Sequence, residues 1–282
     1  RTCDYRDEDR LRQKLKSNYR EKKTILKDFY GHDLPDCDSM FGQLMEYRDT
    51  FLNFLGDTHV LLREQIAQNK KILCEGAQGT MLDVDHGTYP FVTSSNASSG
   101  GACTGLGIPP TQINRVVGVI KAYTTRVGEG PFPTELKGGS GEKLRAEGQE
   151  FGSTTGRPRR CGWFDAVVAR YGVCLNGINS IALTKIDVLD CFDALQVCTG
   201  YKYKGTVYEE MPADLSVLEN CEPVYTEFPG WNQSTVGIES FDQLPENAKR
   251  YIDALENLLG AGFLMISTGP ERCQTIRLGD LF

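Results

Sequence analysis

A lysine and an aspartate follow a short apolar run in the sequence TKID at residues 184–187. The carboxylate of Asp187 could accept two parallel hydrogen bonds from the N1–H and N2 amine of guanine, while the stem of Lys185 covers the base. Adenine lacks this pair of donors, so such a site would select guanine. Polar residues after a strand are also common in ordinary loops. The motif therefore indicates a guanine site only if a second loop, such as residues 267–270, closes over the same base.

An arginine-rich stretch, STTGRPRR at residues 153–160, could bind an anion. Its planar guanidinium groups match the geometry of a carboxylate or a phosphate, and the hydroxyl groups and the amide of Gly156 could complete the pocket. A solvated basic loop is the alternative that the residues leave open. RNA binding is less favoured, because no aromatic side chains interleave with the arginines.

A third group of polar residues lies in KILCEGAQGTMLDVDHGTYPFVTSSNASSGG, residues 71–101. Its first five residues predict a buried strand, and the long polar segment after it predicts a ligand-binding loop. The amide of Gln78 could polarise a carbonyl group or recognise a base edge. Thr93 and the Ser-Ser-Asn that follows it could hold phosphate or ribose. His86 could be a general base or a structural residue of its turn.

The apolar pattern predicts the elements that must position these groups. Residues 1–70 are mainly helical in pattern, and Asp57 could begin a helix as its N-cap. Buried strands are predicted at 116–123, 178–183 and 262–266, a hairpin at 195–211, an exposed turn at 137–143 and an amphipathic helix at 244–259. Helices that alternate with short strands imply an α/β fold, with ligand loops at the carboxyl ends of the strands.

Composition limits the class of protein. The 282 residues carry a net charge of −7, with 40% hydrophobic and 24% charged residues, which indicates a globular protein without a broad basic surface for nucleic acid. No apolar run approaches the roughly 20 residues that a membrane span requires. The ten cysteines form no CxxC pair and the chain has only three histidines, which argues against a structural zinc site. Reduced thiols in a cytosolic protein fit the scattered cysteines better than a disulfide framework. A single domain, residues 1–282, is expected, with a helical part at 1–70 and an α/β part at 71–282.

Five longer motifs occur in order: EGAQGTMLDVDHGTYPFVTSSN, TRVGEGPFPTEL, EFGSTTGRPRRCGW, ALTKIDVLD and STGPER. Together they resemble the adenylosuccinate synthetase family from about Lys71 to the C terminus, and the helices before them are similar to its helical connecting region. The resemblance implies a mixed sheet like that of P-loop NTPases, flanked by helices. It also implies a cytoplasmic homodimeric ligase of purine biosynthesis, which uses GTP and Mg²⁺ to join IMP and L-aspartate through 6-phosphoryl-IMP.

The resemblance assigns roles residue by residue. Gln78 would be catalytic, contacting the 6-oxo group of IMP and stabilising the phosphorylated intermediate. The IMP site would include Gln78, Leu82, Thr93, Val127 and Arg157. The aspartate site would include Thr154, Thr155, Arg157 and Arg159. The GTP site would include Arg159, Lys185, Asp187, Ser267, Gly269 and Pro270.

The chain departs from the family pattern at its N-terminal end. It begins at Arg1 and lacks the glycine-rich GDEGKGK phosphate loop, the aspartate that acts as base and magnesium ligand, the catalytic histidine and the arginine lent across the dimer. We therefore expect the C-terminal part of a longer enzyme, inactive by itself, with its magnesium ligands upstream of Arg1 and no metal ligand within the chain. The alternative is a noncatalytic purine-nucleotide-binding module that has lost the chemistry.

Overall fold

A computed structural model describes residues 1–152 and 156–282, which divide into two units, Arg1–Lys70 and Lys71–Phe282. The boundary coincides with the predicted change from a helical to an α/β pattern. That both units belong to one domain stays a prediction.

The first unit is helical. It contains a 3₁₀ turn (Thr2–Arg6), α1 (Glu8–Thr24), a π-helical turn (Ile25–Phe29), α2 (Cys37–Glu46), α3 (Arg48–Asn53) and α4 (Thr58–Ala67). Helix α4 begins as predicted, because the carboxylate of Asp57 accepts a hydrogen bond of 3.1 Å from the backbone N–H of Val60. The carboxylate of Asp4 is buried and pairs with Lys14 Nζ at 2.8 Å, which fixes the 3₁₀ turn against α1.

The second unit alternates helices and strands. In chain order these are α5 (Gly100–Leu106), β1 (Val117–Lys121), β2 (Thr124–Arg126), α6 (Gly139–Glu147), β3 (Arg160–Gly162), β4 (Phe164–Asp165), α7 (Ala166–Asn176), β5 (Ser180–Thr184), β6 (Ala194–Tyr203), β7 (Thr206–Tyr208), α8 (Leu215–Asn220), β8 (Glu222–Pro229), α9 (Glu246–Leu259), β9 (Gly262–Ser267) and β10 (Thr275–Arg277).

The central sheet is mixed and has the order β1-β5-β9-β10. Strands β1, β5 and β9 are parallel, and β10 runs antiparallel to β9. Strands β2 and β3 form an antiparallel pair. In a third sheet, β6 pairs with β4 in parallel and with β7 and β8 antiparallel. This mixed sheet with accompanying helices confirms the predicted α/β fold class.

Helix α9 shows how the core forms from the sequence pattern. Its apolar side chains recur at helical spacing, and Ile252 and Leu255 are buried in the same cluster as Leu183 and Ile266 of the central sheet. Each such side chain contributes about 1.5–3 kcal/mol through burial. The hydroxyl of Tyr251 donates a hydrogen bond of 2.9 Å to the carbonyl of Ala122, so the helix is also held to the end of β1.

The structure confirms the predicted strands β5 and β9, the hairpin of β6 and β7, and α9. Two other predictions are wrong. Residues 71–75 form no strand, and Leu73 is 70% exposed. A strand needs hydrogen bonds to the backbone of a neighbouring strand, and an apolar sequence pattern does not show whether such a neighbour exists. Among the described residues, none pairs with residues 71–75. Residues 137–143 are not a turn, because α6 begins at Gly139 within them.

Asp165 is a buried carboxylate at the start of α7. It accepts hydrogen bonds from the backbone N–H of Val168 at 3.2 Å and the hydroxyl of Tyr201 at 2.7 Å. Burial raises the pKa of Asp165 to about 6. An unfolded aspartate has a pKa of about 3.9, so this group lowers the free energy of unfolding as pH rises from about 4 to about 6.

We expect Asp165→Asn to remove this pH dependence, because asparagine carries no charge. Its amide oxygen can still accept from the backbone N–H of Val168, and its NH₂ group can donate to the hydroxyl oxygen of Tyr201, which then acts as the acceptor. Relative to the wild type, the variant's free energy of unfolding should rise by about 1–3 kcal/mol between about pH 4 and about pH 7. Urea unfolding at both pH values measures the difference. A difference that does not change with pH would contradict the prediction.

Candidate functional site

The TKID residues lie beside the loop that follows β9. Strands β5 and β9 are parallel neighbours, so the segments after them leave the sheet at the same edge. The backbone N–H of Ile186 donates to the carbonyl of Ser267 at 3.4 Å, and Ser267 Oγ donates to the carbonyl of Gly269 at 2.8 Å. The structure therefore brings Lys185 and Asp187 next to residues 267–270. Their role in binding GTP stays a prediction.

Asp187 has a buried acceptor atom, Oδ1, with no hydrogen-bond donor among the described residues. Burial raises the pKa of this carboxyl. A buried acceptor left without a donor destabilises a protein by about 1–3 kcal/mol, so such atoms are uncommon outside sites that bind a ligand or water. The free oxygen of Asp187 therefore marks a position where a ligand can supply the donor.

Lys185 adopts a backbone φ of 62°, in the left-handed region that side chains seldom occupy. Its ammonium group donates to the carbonyl of Gly148 and lies 3.3 Å from Glu150 Oε1. The side chain is thus turned towards the segment that precedes the arginine-rich stretch.

Glu150 begins the motif EFGSTTGRPRRCGW but was assigned no role from the sequence, and its carboxylate has no exposed surface. Lys121 Nζ contacts both oxygens, at 2.7 and 2.8 Å, while Tyr123 Oη donates to Oε1 at 2.6 Å and Arg159 Nη1 to Oε2 at 2.7 Å. Burial alone would raise the pKa of Glu150, but these hydrogen bonds outweigh it and lower the pKa to about 2. The carboxylate is therefore ionised and joins distant parts of the chain.

Gly148 makes room for this arrangement. An ideal Cβ at this position would lie 2.2 Å from Tyr123 Oη and 2.8 Å from the carbonyl oxygen of Leu144. A larger residue would displace the tyrosine hydroxyl from Glu150.

The arginine-rich stretch contains residues with different environments. Arg159 is partly buried against Glu150, and its carbonyl accepts from Arg145 Nε at 2.8 Å. Arg157 is exposed, and its carbonyl accepts from the backbone N–H of Gly152 at 2.8 Å. Thr154 and Thr155, predicted to contact aspartate, lie outside the described residues.

Residues 71–101, which contain most of the residues predicted to bind IMP, are called the IMP loop. The loop is organised by Asp83, whose carboxylate is fully buried. It accepts hydrogen bonds from the backbone N–H groups of Asp85 and His86 at 3.0 Å and of Ser98 at 3.1 Å. Burial alone would raise the pKa of Asp83, but these bonds outweigh it and lower the pKa. The two arms of the loop are thereby drawn together around one carboxylate.

Two residues predicted to line the IMP site are direct neighbours in this loop. The backbone N–H of Thr93 donates to the carbonyl of Leu82 at 2.8 Å. Gly87 permits the tight turn between them, since an ideal Cβ there would lie 2.4 Å from the carbonyl oxygen of Met81.

Helix α7 anchors the same loop. Asn176 accepts from the backbone N–H of Ser99 at 2.7 Å and donates to Thr80 Oγ1 at 3.0 Å. Tyr171 Oη donates to the carbonyl of His86 at 2.9 Å. Helix α7 therefore holds the loop at three points, Thr80, His86 and Ser99.

Val127 directly follows β2 and is exposed, and the last residue of the strand, Arg126, contacts the IMP loop. Arg126 donates to Thr88 Oγ1 at 2.9 Å and to the carbonyl of Phe91 at 3.2 Å. In the pairing of β2 with β3, Arg126 lies opposite Arg160, the residue after Arg159. Hydrogen bonds thus connect the IMP loop with the residues around Glu150.

Two predicted ligand residues project from this framework. Gln78 is exposed, with a backbone φ of 65°, and Arg157 is also exposed. Among the described residues, no hydrogen bond holds either side chain. The structure therefore places Gln78 within the IMP loop and Arg157 two residues before Arg159, but fixes neither side chain.

Magnesium has no fitting ligand set in the described parts of the chain. Within residues 1–152 and 156–282, no group of three or more His, Cys, Asp or Glu side chains could hold a metal ion. In the same residues, no helix is long and apolar enough to span a membrane.

Sequence reasoning missed the residues that organise the site, namely Glu150, Lys121, Tyr123, Asp83 and Asn176. The sequence around Asp83 did contain a local signal. An aspartate that begins a turn containing glycine often accepts hydrogen bonds from the backbone N–H groups of the residues that follow it. Glu150 and Asn176 had none, since their partners lie far away in the sequence.

Comparisons with known proteins give a consistent result. The family model for adenylosuccinate synthetase matches residues 1–276. The adenylosuccinate synthetase of Geobacter sulfurreducens is 51% identical over all 282 residues, and that of Trichlorobacter lovleyi is 52% identical over 270. The chain spans 65% and 63% of their lengths. A solved structure of fully ligated adenylosuccinate synthetase from Plasmodium falciparum superposes with a TM-score of 0.91 at 38% identity, covering 98% of this chain and 65% of that one.

We expect Asn176→Ala to loosen the loop at both ends, because Ser99 and Thr80 lose their partner. The free energy of unfolding should fall by about 1–3 kcal/mol, and the backbone amide of Ser99 should exchange its hydrogen faster. Urea unfolding and hydrogen exchange measure these changes. Asn257→Ala, an exposed asparagine on α9, is the matched control and should change stability by less than about 0.5 kcal/mol. Equal effects of the two variants would contradict the anchoring role.

Proposed function

The chain belongs to the adenylosuccinate synthetase family, and we propose that the whole protein is a ligase that joins IMP and L-aspartate with GTP. The products are adenylosuccinate, GDP and phosphate, in the first committed step from IMP to AMP. GTP transfers its γ-phosphoryl group to the 6-oxygen of IMP. The aspartate amine then attacks C6, and phosphate leaves with the 6-oxygen.

The buried, unpartnered Oδ1 of Asp187 is the observation that carries this proposal. Guanine offers N1–H and an N2 amine as neighbouring donors, which satisfy a carboxylate, whereas adenine does not. The loop of Ser267, Gly269 and Pro270 is joined to this segment through Ile186 and would close over the base. GTP is accordingly the proposed co-substrate.

Aspartate would bind to the arginine-rich stretch. Arg159 donates one N–H group to Glu150, and a guanidinium has five, so donors remain for a dicarboxylate. Arg157 would reach both aspartate and IMP, and Thr154 and Thr155 would complete the pocket.

The IMP loop would hold the nucleotide that is modified. Thr93 would lie near its phosphate, with Leu82 and Val127 along the base and sugar. The amide of Gln78 would donate to the 6-oxygen and stabilise the charge that develops during phosphoryl transfer. We further propose a cytoplasmic homodimer, and the ten free cysteines suit a reducing compartment.

Asp187→Asn tests the guanine site in the full-length protein. The carboxamide presents a donor where guanine also donates, so the KM for GTP should rise by about tenfold to a hundredfold. Xanthosine triphosphate, which has a carbonyl in place of the N2 amine, should become a better substrate relative to GTP. Initial rates of adenylosuccinate formation with each nucleotide measure this, and Asp253→Asn, on the exposed face of α9, is the control.

An unchanged KM for GTP would refute the guanine assignment. A wild-type protein that binds GDP and IMP but forms no adenylosuccinate would instead support the noncatalytic alternative.

Arg157→Leu tests the aspartate site. Loss of a charge-assisted contact should raise the KM for aspartate, or lower kcat, by about tenfold. Steady-state kinetics with varied aspartate measure the effect. Arg250→Leu, which removes an exposed arginine from α9, should leave both constants unchanged. If aspartate dependence is the same in both variants, Arg157 has another role.

A further inference from the structure

Glu150 connects two parts of the site whose proposed ligands differ. Arg159, assigned to aspartate and also to GTP, contacts Oε2 at 2.7 Å, while Lys185, assigned to guanine alone, lies 3.3 Å from Oε1. The two contacts use opposite oxygens of one carboxylate. The Glu150 carboxylate is therefore a shared partner, and a shift in its position would affect Arg159 and Lys185 together.

The backbone around Glu150 strengthens this connection. The carbonyl of Glu150 accepts from the backbone N–H of Arg159 at 2.9 Å, and the carbonyl of Gly148 accepts from Lys185 Nζ. Lys121, the last residue of β1, holds both carboxylate oxygens and donates to Thr125 Oγ1 at 2.8 Å. Residues 148–150 are thus held by Lys121 of β1, and they contact both Lys185 and Arg159.

The charges around Glu150 do not cancel. Lys121, Arg159 and Lys185 bring three positive charges to one negative charge, and each of the three is partly exposed. Glu150 reduces the repulsion among these cations and leaves a net positive site. Such a site suits the phosphates of a nucleotide and the carboxylates of aspartate.

We propose that Glu150 is a positioning residue shared by the GTP and aspartate sites, which sets the separation of Lys185 and Arg159 and so tunes both affinities together. This inference rests on the proposed function. No residue predicted to line the IMP site, apart from the exposed Arg157 near it in sequence, belongs to the Glu150 cluster or flanks it. The IMP loop reaches this cluster only indirectly, through Arg126 and the pairing of β2 with β3. A change at Glu150 is therefore expected to alter the binding of GTP and aspartate more than that of IMP.

Glu150→Gln in the full-length protein is the test. The side chain keeps its shape but loses its charge, and its NH₂ group must face donors on one side or the other. The KM values for GTP and for aspartate should each rise by about tenfold, while the KM for IMP should change by less than about twofold. Glu150→Asp, which keeps the charge on a shorter stem, should recover part of the loss. Asp165→Asn, which removes a buried carboxylate elsewhere, should leave all three KM values unchanged.

Tyr123→Phe provides a second variant in case Glu150→Gln does not fold. It removes only the hydrogen bond to Oε1 and should raise the KM for GTP and the KM for aspartate by about twofold to fivefold. The proposal is overturned if the KM for IMP rises as much as the other two, or if only kcat falls. Either result would indicate a general structural role.

Equilibrium binding of GDP separates this proposal from the proposed function. Calorimetric titration of wild type and Glu150→Gln with GDP needs no turnover, and the variant should bind about tenfold more weakly. If the wild type makes no adenylosuccinate but shows this difference, the ligase assignment fails and the role of Glu150 at the guanine site stands. Equal GDP affinities overturn the role of Glu150, whether or not the protein is a ligase.

Discussion

The carboxylate of Glu150 has no exposed surface, and the molecule must surround it with positive charge. A buried carboxylate without partners would destabilise the fold by several kcal/mol. Lys121 at the end of β1, Arg159 before β3 and Lys185 after β5 therefore have to converge on one point. The edge of the sheet, the arginine-rich stretch and the TKID segment are held in register by this requirement. The loops that carry these residues can be long, because each of them is anchored by its contact with Glu150.

The carboxylate of Asp187 differs from that of Glu150 in its hydrogen bonding. Its buried oxygen has no donor among the described residues, whereas both oxygens of Glu150 are fully engaged. One carboxylate is thus satisfied within the chain, and the other keeps an acceptor free for the proposed guanine. Asp83 follows the first pattern in the predicted IMP loop, where backbone N–H groups rather than cations satisfy it.

Local patterns were sufficient to predict the elements that carry the site. The apolar runs that became β5 and β9 and the helical spacing of α9 reflect short-range periodicity, so they could be found without a structure. The five motifs also led to the correct family. The strand expected at residues 71–75 was wrong, because pairing depends on a second backbone. Glu150 was missed because its partners Lys121 and Lys185 lie 29 and 35 residues away, a distance over which a sequence shows no pattern.

Gln78 and Lys185 share an uncommon backbone conformation with four other non-glycine residues of the described chain. Both adopt a positive φ although neither is a glycine, at 65° and 62°. A left-handed conformation disfavours residues with a Cβ by about 1 kcal/mol, so glycine would be the more stable choice at both positions. Glycine, however, offers neither an amide nor an ammonium group. If the proposed roles hold, the chain gives up folding free energy at these two positions to keep the two side chains. A sequence selected for stability alone would then carry glycine at both.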